Sequence, residues 1–69
     1  MNQHYACVSM QDGTVLESVS HKPHTNASAV FCVDGMWMGE IWSIGKTEME
    51  AIQNALGKRE KIMEKSDVL

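Results

Sequence analysis

Residues 39–47 come nearest to a nucleotide-binding motif in this sequence. Two glycines, Gly39 and Gly45, are followed directly by Lys46 and Thr47. A phosphate-binding loop needs four residues between its glycines, and here there are five. The motif also belongs to parallel α/β domains that need more room than 69 residues give. We therefore predict that Gly45 turns the chain before a helix capped by Thr47.

Three histidines and one cysteine have spacings that suggest zinc binding: His4, Cys7, His21 and His24. If residues 5–10 form a strand, positions 4 and 7 point to opposite faces, so one ion cannot contact both. A register that sets His4 opposite His21 leaves at most three histidines at one edge, without a fourth ligand. We predict solvated histidines near a loop, no metal and no cofactor.

Glu17 and Glu40 are isolated carboxylates in otherwise apolar strand faces. Such a group can serve as a general acid with a raised pKa. The alternative, which we favour, is an edge residue whose carboxylate reaches water. No serine shows a pairing with histidine and a carboxylate in the sequence. The sequence therefore predicts a protein that is not an enzyme and has no catalytic residues.

Length and charge exclude several classes of protein. Residues 1–69 predict a single domain, near the lower size limit for a hydrophobic core. A net charge of −3 argues against general nucleic-acid binding, which needs a basic surface. No apolar run is long enough to span a membrane, and the first residues do not resemble a signal peptide. Cys7 and Cys32 are expected to be small buried hydrophobes without a disulfide, in the cytoplasm.

Asp34-Gly35 lies between two apolar runs and predicts a two-residue hairpin turn. The turn pairs Val33 with Met36, Cys32 with Trp37, Phe31 with Met38, Val30 with Gly39 and Ala29 with Glu40. One face then carries Ala29, Phe31, Val33, Met36, Met38 and Trp42, with Glu40 as the exception. The other carries Val30, Cys32, Trp37 and Ile41. Both faces are largely apolar, although a hairpin with one face in water should alternate apolar and polar residues.

Asp12-Gly13 predicts an earlier hairpin, made of residues 5–10 and 14–20. A two-residue turn there places Ala6, Val8, Met10, Val15 and Val19 on one apolar face. That face should join the core, and the polar face should meet solvent. Pro23 marks residues 21–26 as a loop between the two hairpins.

Thr47 and Glu50 form a capping-box pattern, which predicts a helix from there to about Lys65. Its apolar stripe contains Met49, Ile52, Ala55, Leu56, Ile62 and Met63. Gly57 is expected to end the first segment or to let the helix approach the sheet. Residues 66–69 should fray. Together the elements predict an α+β fold, β-β-β-β-α, with a four-stranded antiparallel sheet of two hairpins and one C-terminal helix across one face.

Residues 45–55 read Gly-Lys-Thr-Glu-Met-Glu-Ala-Ile-Gln-Asn-Ala. This stretch resembles the Gly-x-Thr-x-x-Glu-Ala-x-x-Asn-Ala turn and helix of HicB-like antitoxins. The resemblance covers about eleven residues and implies a small antitoxin-like regulator. The family's strand after the helix and its DNA-binding domain have no counterpart in these 69 residues.

One helix can cover only one of the two apolar faces of the second hairpin. We therefore predict a non-enzymatic protein-binding module that uses the other face, with Val30, Cys32, Trp37 and Ile41 as the contact residues. The bulkier face with Phe31 is expected to lie under the helix. The partner is a second copy, a homodimer being favoured, or a host or regulatory enzyme that the module inhibits or adapts.

Two alternatives remain open. The first is a nucleic-acid-binding regulator, for which Lys58, Arg59, Lys61 and Lys65 give the helix end some basic character. These residues alternate with Glu60 and Glu64, which is typical of a solvated helix face. The second is a small enzyme or metal protein, which a shift of thermal stability by zinc or nickel would support.

Overall fold

A computed structural model describes residues 3–24 and 27–66 of the chain. The elements are β1 (His4–Ser9), β2 (Val15–Val19), β3 (Ala29–Val33), β4 (Met36–Gly45) and α1 (Glu48–Ser66). The strands form one antiparallel sheet in the order β2-β1-β4-β3, and α1 packs across it. The predicted β-β-β-β-α fold is confirmed. Positions 25–26 of the predicted loop, and 67–69 at the expected frayed end, lie outside the described residues.

Within the described ranges, α1 does not combine the length and the apolar character needed to cross a membrane.

The β3–β4 hairpin has the predicted register, from Val33 opposite Met36 to Ala29 opposite Glu40. Asp34 and Gly35 both have positive φ, 51° and 79°, as a type I′ turn requires. β4 is long enough to serve two partners, because its first half pairs with β3 and its second half with β1. The two hairpins are therefore joined along β1 and β4.

The β1–β2 hairpin differs from its predicted form. Its turn is four residues long, since Ser9 N–H donates to the carbonyl of Thr14 at 2.8 Å and Gly13 N–H donates to that of Ser9. The register also shifts by one residue, because Cys7 pairs with Glu17 but Val8 pairs with Val15, which leaves Leu16 as a bulge. Ala6, Val8 and Met10 are buried as predicted. Val15 stays exposed, and Val19 pairs with Tyr5, whose side chain points to the other face.

Helix α1 begins at its predicted cap, where Glu50 N–H donates to Thr47 Oγ1 at 3.1 Å. The carboxylate of Glu50 reaches back to Lys46 N–H rather than to that of Thr47. The helix continues through Gly57, where an added Cβ would meet no atom within 4 Å, so Gly57 neither ends it nor permits a close approach.

The buried stripe of α1 is narrower than the predicted one. Ala51 and Ala55 are fully buried, with Leu56, Ile62 and Met63 packed against the core. Met49 is 69% exposed and lies outside the core. Two small residues one turn apart bring the helix close to the sheet. Ala55 belongs to the predicted stripe, and Ala51 does not.

The registers divide the sheet into two faces. The face under α1, here called the helix face, carries Ala6, Val8, Val30, Cys32, Trp37, Ile41 and Ser43. The opposite face, here called the open face, carries Tyr5, Cys7, Glu17, Val19, Phe31, Val33, Met36, Met38, Glu40, Trp42 and Ile44. The prediction that the Phe31 face lies under the helix is therefore wrong.

A connection between β2 and β3 must travel from one edge of the sheet to the other. Its residues 20–24, here called the crossing segment, lie over the open face, because His21, Pro23 and His24 line one cleft together with Cys7 and Trp42. The apolar centre of this face is thus covered by chain, and Trp42 is only 7% exposed. As the sequence indicated, the helix covers only one face of the sheet. The loop after β2 covers part of the other face.

Candidate protein-interaction surface

The four residues predicted to contact a partner all lie on the helix face. Ile41 is 3% exposed and belongs to the core with Val8, Met10 and Ala55. Val30 and Trp37 are half-buried and pack against that core, and Cys32 is exposed. The helix therefore covers the face that was predicted to bind a partner. Ile41 is buried and cannot contact a partner.

The exposed apolar residues of the β3–β4 hairpin lie on the open face. Phe31, Val33 and Met36 are 52%, 48% and 49% exposed, and Met38 beside them is half-buried. We call these four residues the hairpin patch. Their period-two spacing on both strands places them side by side, without a charged residue among them. Single exposed apolar residues are common, but a contiguous group is typical of an interaction site.

None of the elements in residues 3–24 and 27–66 covers the hairpin patch. The backbone of α1 contacts β1, β2 and β4 but not β3. The crossing segment covers the centre of the open face, over Cys7 and Trp42, at the other end of the hairpin from the turn. An added Cβ on Gly35 in that turn would meet nothing within 4 Å. The sequence indicated that the helix leaves one face of the hairpin uncovered. It did not indicate which face, because that depends on the path of the chain after β4.

A cleft of about 450 Å³ lies between the crossing segment and the open face. It is lined by Cys7, Leu16, Glu17, Val19, His21, Pro23, His24, Glu40 and Trp42. Glu17 borders it from the edge strand β2 and is exposed, as predicted. Glu40 also borders it but is not the predicted edge residue, because it is half-buried on the inner strand β4 and pairs with both Ala29 and Ser9. The indole N–H of Trp42 is buried and has no acceptor among the described residues.

The Cys7 thiol in this cleft is chemically quiet. Burial raises its pKa from 9.0 to about 12, helped by a hydrogen bond to Glu40 and by the negative charges of Glu40 and Glu17. A thiol with so high a pKa stays protonated at neutral pH, and only the thiolate is a good nucleophile. The arrangement does not suit thiol catalysis. Cys32 is free as well, and it is exposed rather than buried as predicted.

The three histidines do not come together. His21 and His24 are exposed, as predicted, whereas the side chain of His4 is only 17% exposed. His4 pairs with Gly45 in the sheet, and its Nε2 lies 2.7 Å from Ser18 Oγ and 3.6 Å from a carboxylate oxygen of Glu48. His21 and His24 line the cleft on the opposite face. In residues 3–24 and 27–66, no group of three or more His, Cys, Asp or Glu side chains is arranged to hold a metal ion.

Two basic residues of α1 bind the protein's own backbone instead of forming a solvated face. Arg59 Nε donates to the carbonyl of Met10 at 2.9 Å, and its Nη2 donates to that of Gln11 at 3.3 Å. Lys58 Nζ donates to the carbonyl of Trp42 at 3.3 Å. These contacts fasten the helix to the sheet and reduce the positive charge that the helix presents to a polyanion.

Comparison of the chain with protein-family models, with curated proteins and with solved structures finds no match.

Proposed function

We propose that this protein is a non-enzymatic protein-binding module that docks through the hairpin patch and associates with a second copy of itself. One observation carries the proposal: Phe31, Val33 and Met36 stand about half exposed together on the side of the sheet that α1 does not cover. Binding through an apolar sheet face was also inferred from the sequence, but the face proposed here is the opposite face of the hairpin.

The size of the patch sets the strength of the contact. Three half-exposed side chains offer on the order of 250 Å² of apolar area per copy, worth roughly 12 kcal/mol for two copies at ~25 cal/mol/Å². Association itself costs an estimated ~4–15 kcal/mol. The patch by itself therefore supports a weak dimer, which forms and separates as concentration changes.

A weak dimer suits a module that inhibits or adapts another protein, such as a regulatory enzyme. Separation of the copies exposes the same patch for a foreign apolar surface. The quiet thiol of Cys7 supports a role without catalysis, and the engagement of Lys58 and Arg59 supports protein over nucleic acid as the partner. Two free cysteines suit the cytoplasm, where thiols stay reduced.

Light scattering at low micromolar and near-millimolar concentration tests the proposal with a matched pair of variants. We expect wild type to shift from monomer to dimer, and Met36→Glu to remain monomeric because a charge then sits in the patch. Met49→Glu is the control, since Met49 is even more exposed than Met36 but lies on α1, away from the patch. It should form dimers like wild type.

A wild-type protein that stays monomeric at both concentrations would rule out self-association. Equal loss of dimer in both variants would show that the added charge, rather than its position, is responsible. Circular dichroism on each variant confirms that the fold is retained.

A further inference from the structure

In the described part of the sheet, four stretches of strand have a neighbour on one side only. The first half of β4, residues 36–38, lies beyond the end of β1 and is the shortest. The other three are β2, the second half of β4 beyond Glu40, and β3. A free strand edge presents unpaired N–H and C=O groups and invites another strand to pair with it, so proteins protect such edges. The three longer edges are protected to very different degrees.

Side chains close the edge of β4. Ser28 Oγ accepts from Trp42 N–H at 3.0 Å, and Lys58 Nζ donates to the carbonyl of Trp42. Asn54 Nδ2 donates to the carbonyl of Ile44 at 2.8 Å. Three backbone groups that would otherwise face an incoming strand are thus already bonded.

A bulge and a charge interrupt the edge of β2. Leu16 is an extra residue that breaks the regular spacing of the strand, and Glu17 follows it directly. Ser18, whose backbone faces outward, has its hydroxyl bonded to Glu48 at 2.9 Å. Bulges and charges are the usual means of keeping an edge strand from pairing.

Among the described residues, none of these protections is found at the edge of β3. Its five residues, Ala29–Val33, contain no charge and no proline, and they pair with β4 without a bulge. A two-residue turn makes Val33 and Met36 a hydrogen-bonded pair, so bonded positions alternate and Val30 and Cys32 direct their N–H and C=O groups away from β4. This edge is a short, flat, uncharged template.

We propose that β3 pairs edge to edge with β3 of a second copy, antiparallel and centred on Phe31, to form one continuous sheet through both copies. The proposal rests on the proposed function and names how the second copy docks. Centring on Phe31 aligns all five residues of both strands, with Val30 of each copy opposite Cys32 of the other. About four backbone hydrogen bonds form between these positions.

Two hairpin patches placed face to face would bury on the order of 500 Å², well below the ~1,200–2,000 Å² of a stable interface. Edge pairing supplies contact of another kind, because it bonds backbone groups and sets the two Phe31 side chains opposite each other on the open face, where aromatic pairs are favourable. A second copy fits this edge because an uncharged five-residue strand centred on Phe31 pairs with itself over its whole length.

Amide hydrogen exchange, measured by NMR at low micromolar and near-millimolar concentration, reads this edge directly. We expect exchange at Val30 and Cys32 to slow by about tenfold or more at the higher concentration, because their N–H groups become bonded. The amides of Phe31 and Val33, already bonded to β4, should be protected at both concentrations. Ser18 on the edge of β2 is the control and should not change.

A pair of substitutions gives a second test. Cys32→Pro removes one outward N–H without removing a bond to β4, and proline is tolerated on an edge strand at such a position. We expect it to remain monomeric, whereas Cys32→Ser forms the dimer. A dimer in which Val30 and Cys32 exchange as fast as in the monomer overturns edge pairing while leaving the hairpin patch as the contact. A wild-type monomer at both concentrations overturns edge pairing and self-association together.

Discussion

The two hairpins of this protein start from the same dipeptide and end in different structures. Asp12-Gly13 lies in a four-residue turn under the end of α1, where Arg59 binds the carbonyls of Met10 and Gln11. Asp34-Gly35 forms a two-residue turn, and a Cβ added to Gly35 would meet no described atom within 4 Å. This turn follows the two-residue rule for its sequence. The first turn is wider and is held both by its own side chains, since Thr14 N–H donates to Asp12 Oδ1, and by the helix.

The largest effect is expected at Gly39, where the second hairpin joins the first. Its φ is 104°, and an added Cβ would clash with the carbonyl oxygen of Ala29. Gly39→Ala should cost roughly 4 kcal/mol through backbone strain and overpacking together. A domain of this size has ~3–10 kcal/mol of stability in total, so this variant should be close to unfolding. Urea denaturation measures the loss.

Gly35→Ala is the matched control for Gly39→Ala. Its φ is also positive, at 79°, but nothing lies within 4 Å of the added Cβ. It should lose only the conformational term, about 1–2 kcal/mol. Equal losses in the two variants would contradict the close approach at Ala29.

An intermediate effect is expected from Arg59, the residue that makes the first turn differ from the second. Arg59→Met keeps the aliphatic part of the side chain and removes the donors to Met10 and Gln11. We expect a loss of roughly 2 kcal/mol, because charge-assisted hydrogen bonds are lost and the carbonyl acceptors lose their partner. Urea denaturation gives the loss, with Lys61→Met on the same helix as control.

NMR shifts at residues 10–13 should change in Arg59→Met while those at Asp34 and Gly35 stay as they are. Changes of equal size in both turns would show that the two turns do not differ in their dependence on α1.

The smallest effect is expected in the pH dependence of stability, and it concerns Cys7, the cysteine of the first hairpin. The pKa of Cys7 is raised from 9.0 to about 12, so the folded state keeps its proton at a pH where the unfolded state has lost it. Its stabilising contribution is complete below pH 9 and falls as pH rises toward 12, by at most about 1.4 kcal/mol per pH unit. Between pH 8 and pH 10 we expect wild type to lose about 1 kcal/mol more than Cys7→Ala.

Denaturation curves at both pH values measure that difference, and Cys32→Ala serves as the control. Cys32 is exposed on β3, so Cys32→Ala controls for the loss of a thiol that lies outside the cleft. If Cys7→Ala loses as much stability as wild type, the raised pKa of Cys7 is excluded as the cause.

Much of the fold could be predicted because it depends on neighbours in sequence. The register of β3 and β4 followed from Asp34-Gly35, and the start of α1 followed from Thr47 and Glu50. The turn of the first hairpin was predicted wrongly. Its backbone is bonded by its own side chains, since Thr14 N–H donates to Asp12 Oδ1, and also by Arg59 from far along the sequence.

The candidate site was harder to predict than the fold. Side-chain alternation correctly sorted the second hairpin into two faces, but bulk was the wrong guide to which face α1 covers. The chain passes from β4 into α1 at Gly45, where an added Cβ would meet the backbone N of Ala51 at 2.5 Å. So tight a connection decides the side of the sheet on which the helix lies. Hydrophobic periodicity predicts neither this close contact nor the path of residues 20–24.

The strand order also constrains how the chain folds in time. Each hairpin closes over a short stretch of sequence, but β1 must find β4 across the entire crossing segment, since Ser9 pairs with Glu40. The entropic cost of closing a loop grows with the logarithm of its length, so pairing β1 with β4 costs more conformational entropy than closing either hairpin. Apolar burial offsets this cost only when Ile41 packs against Val8. We therefore expect docking of the two hairpins to set the folding rate. Until it occurs, the side of β4 that later pairs with β1 is available to any other chain in the same state.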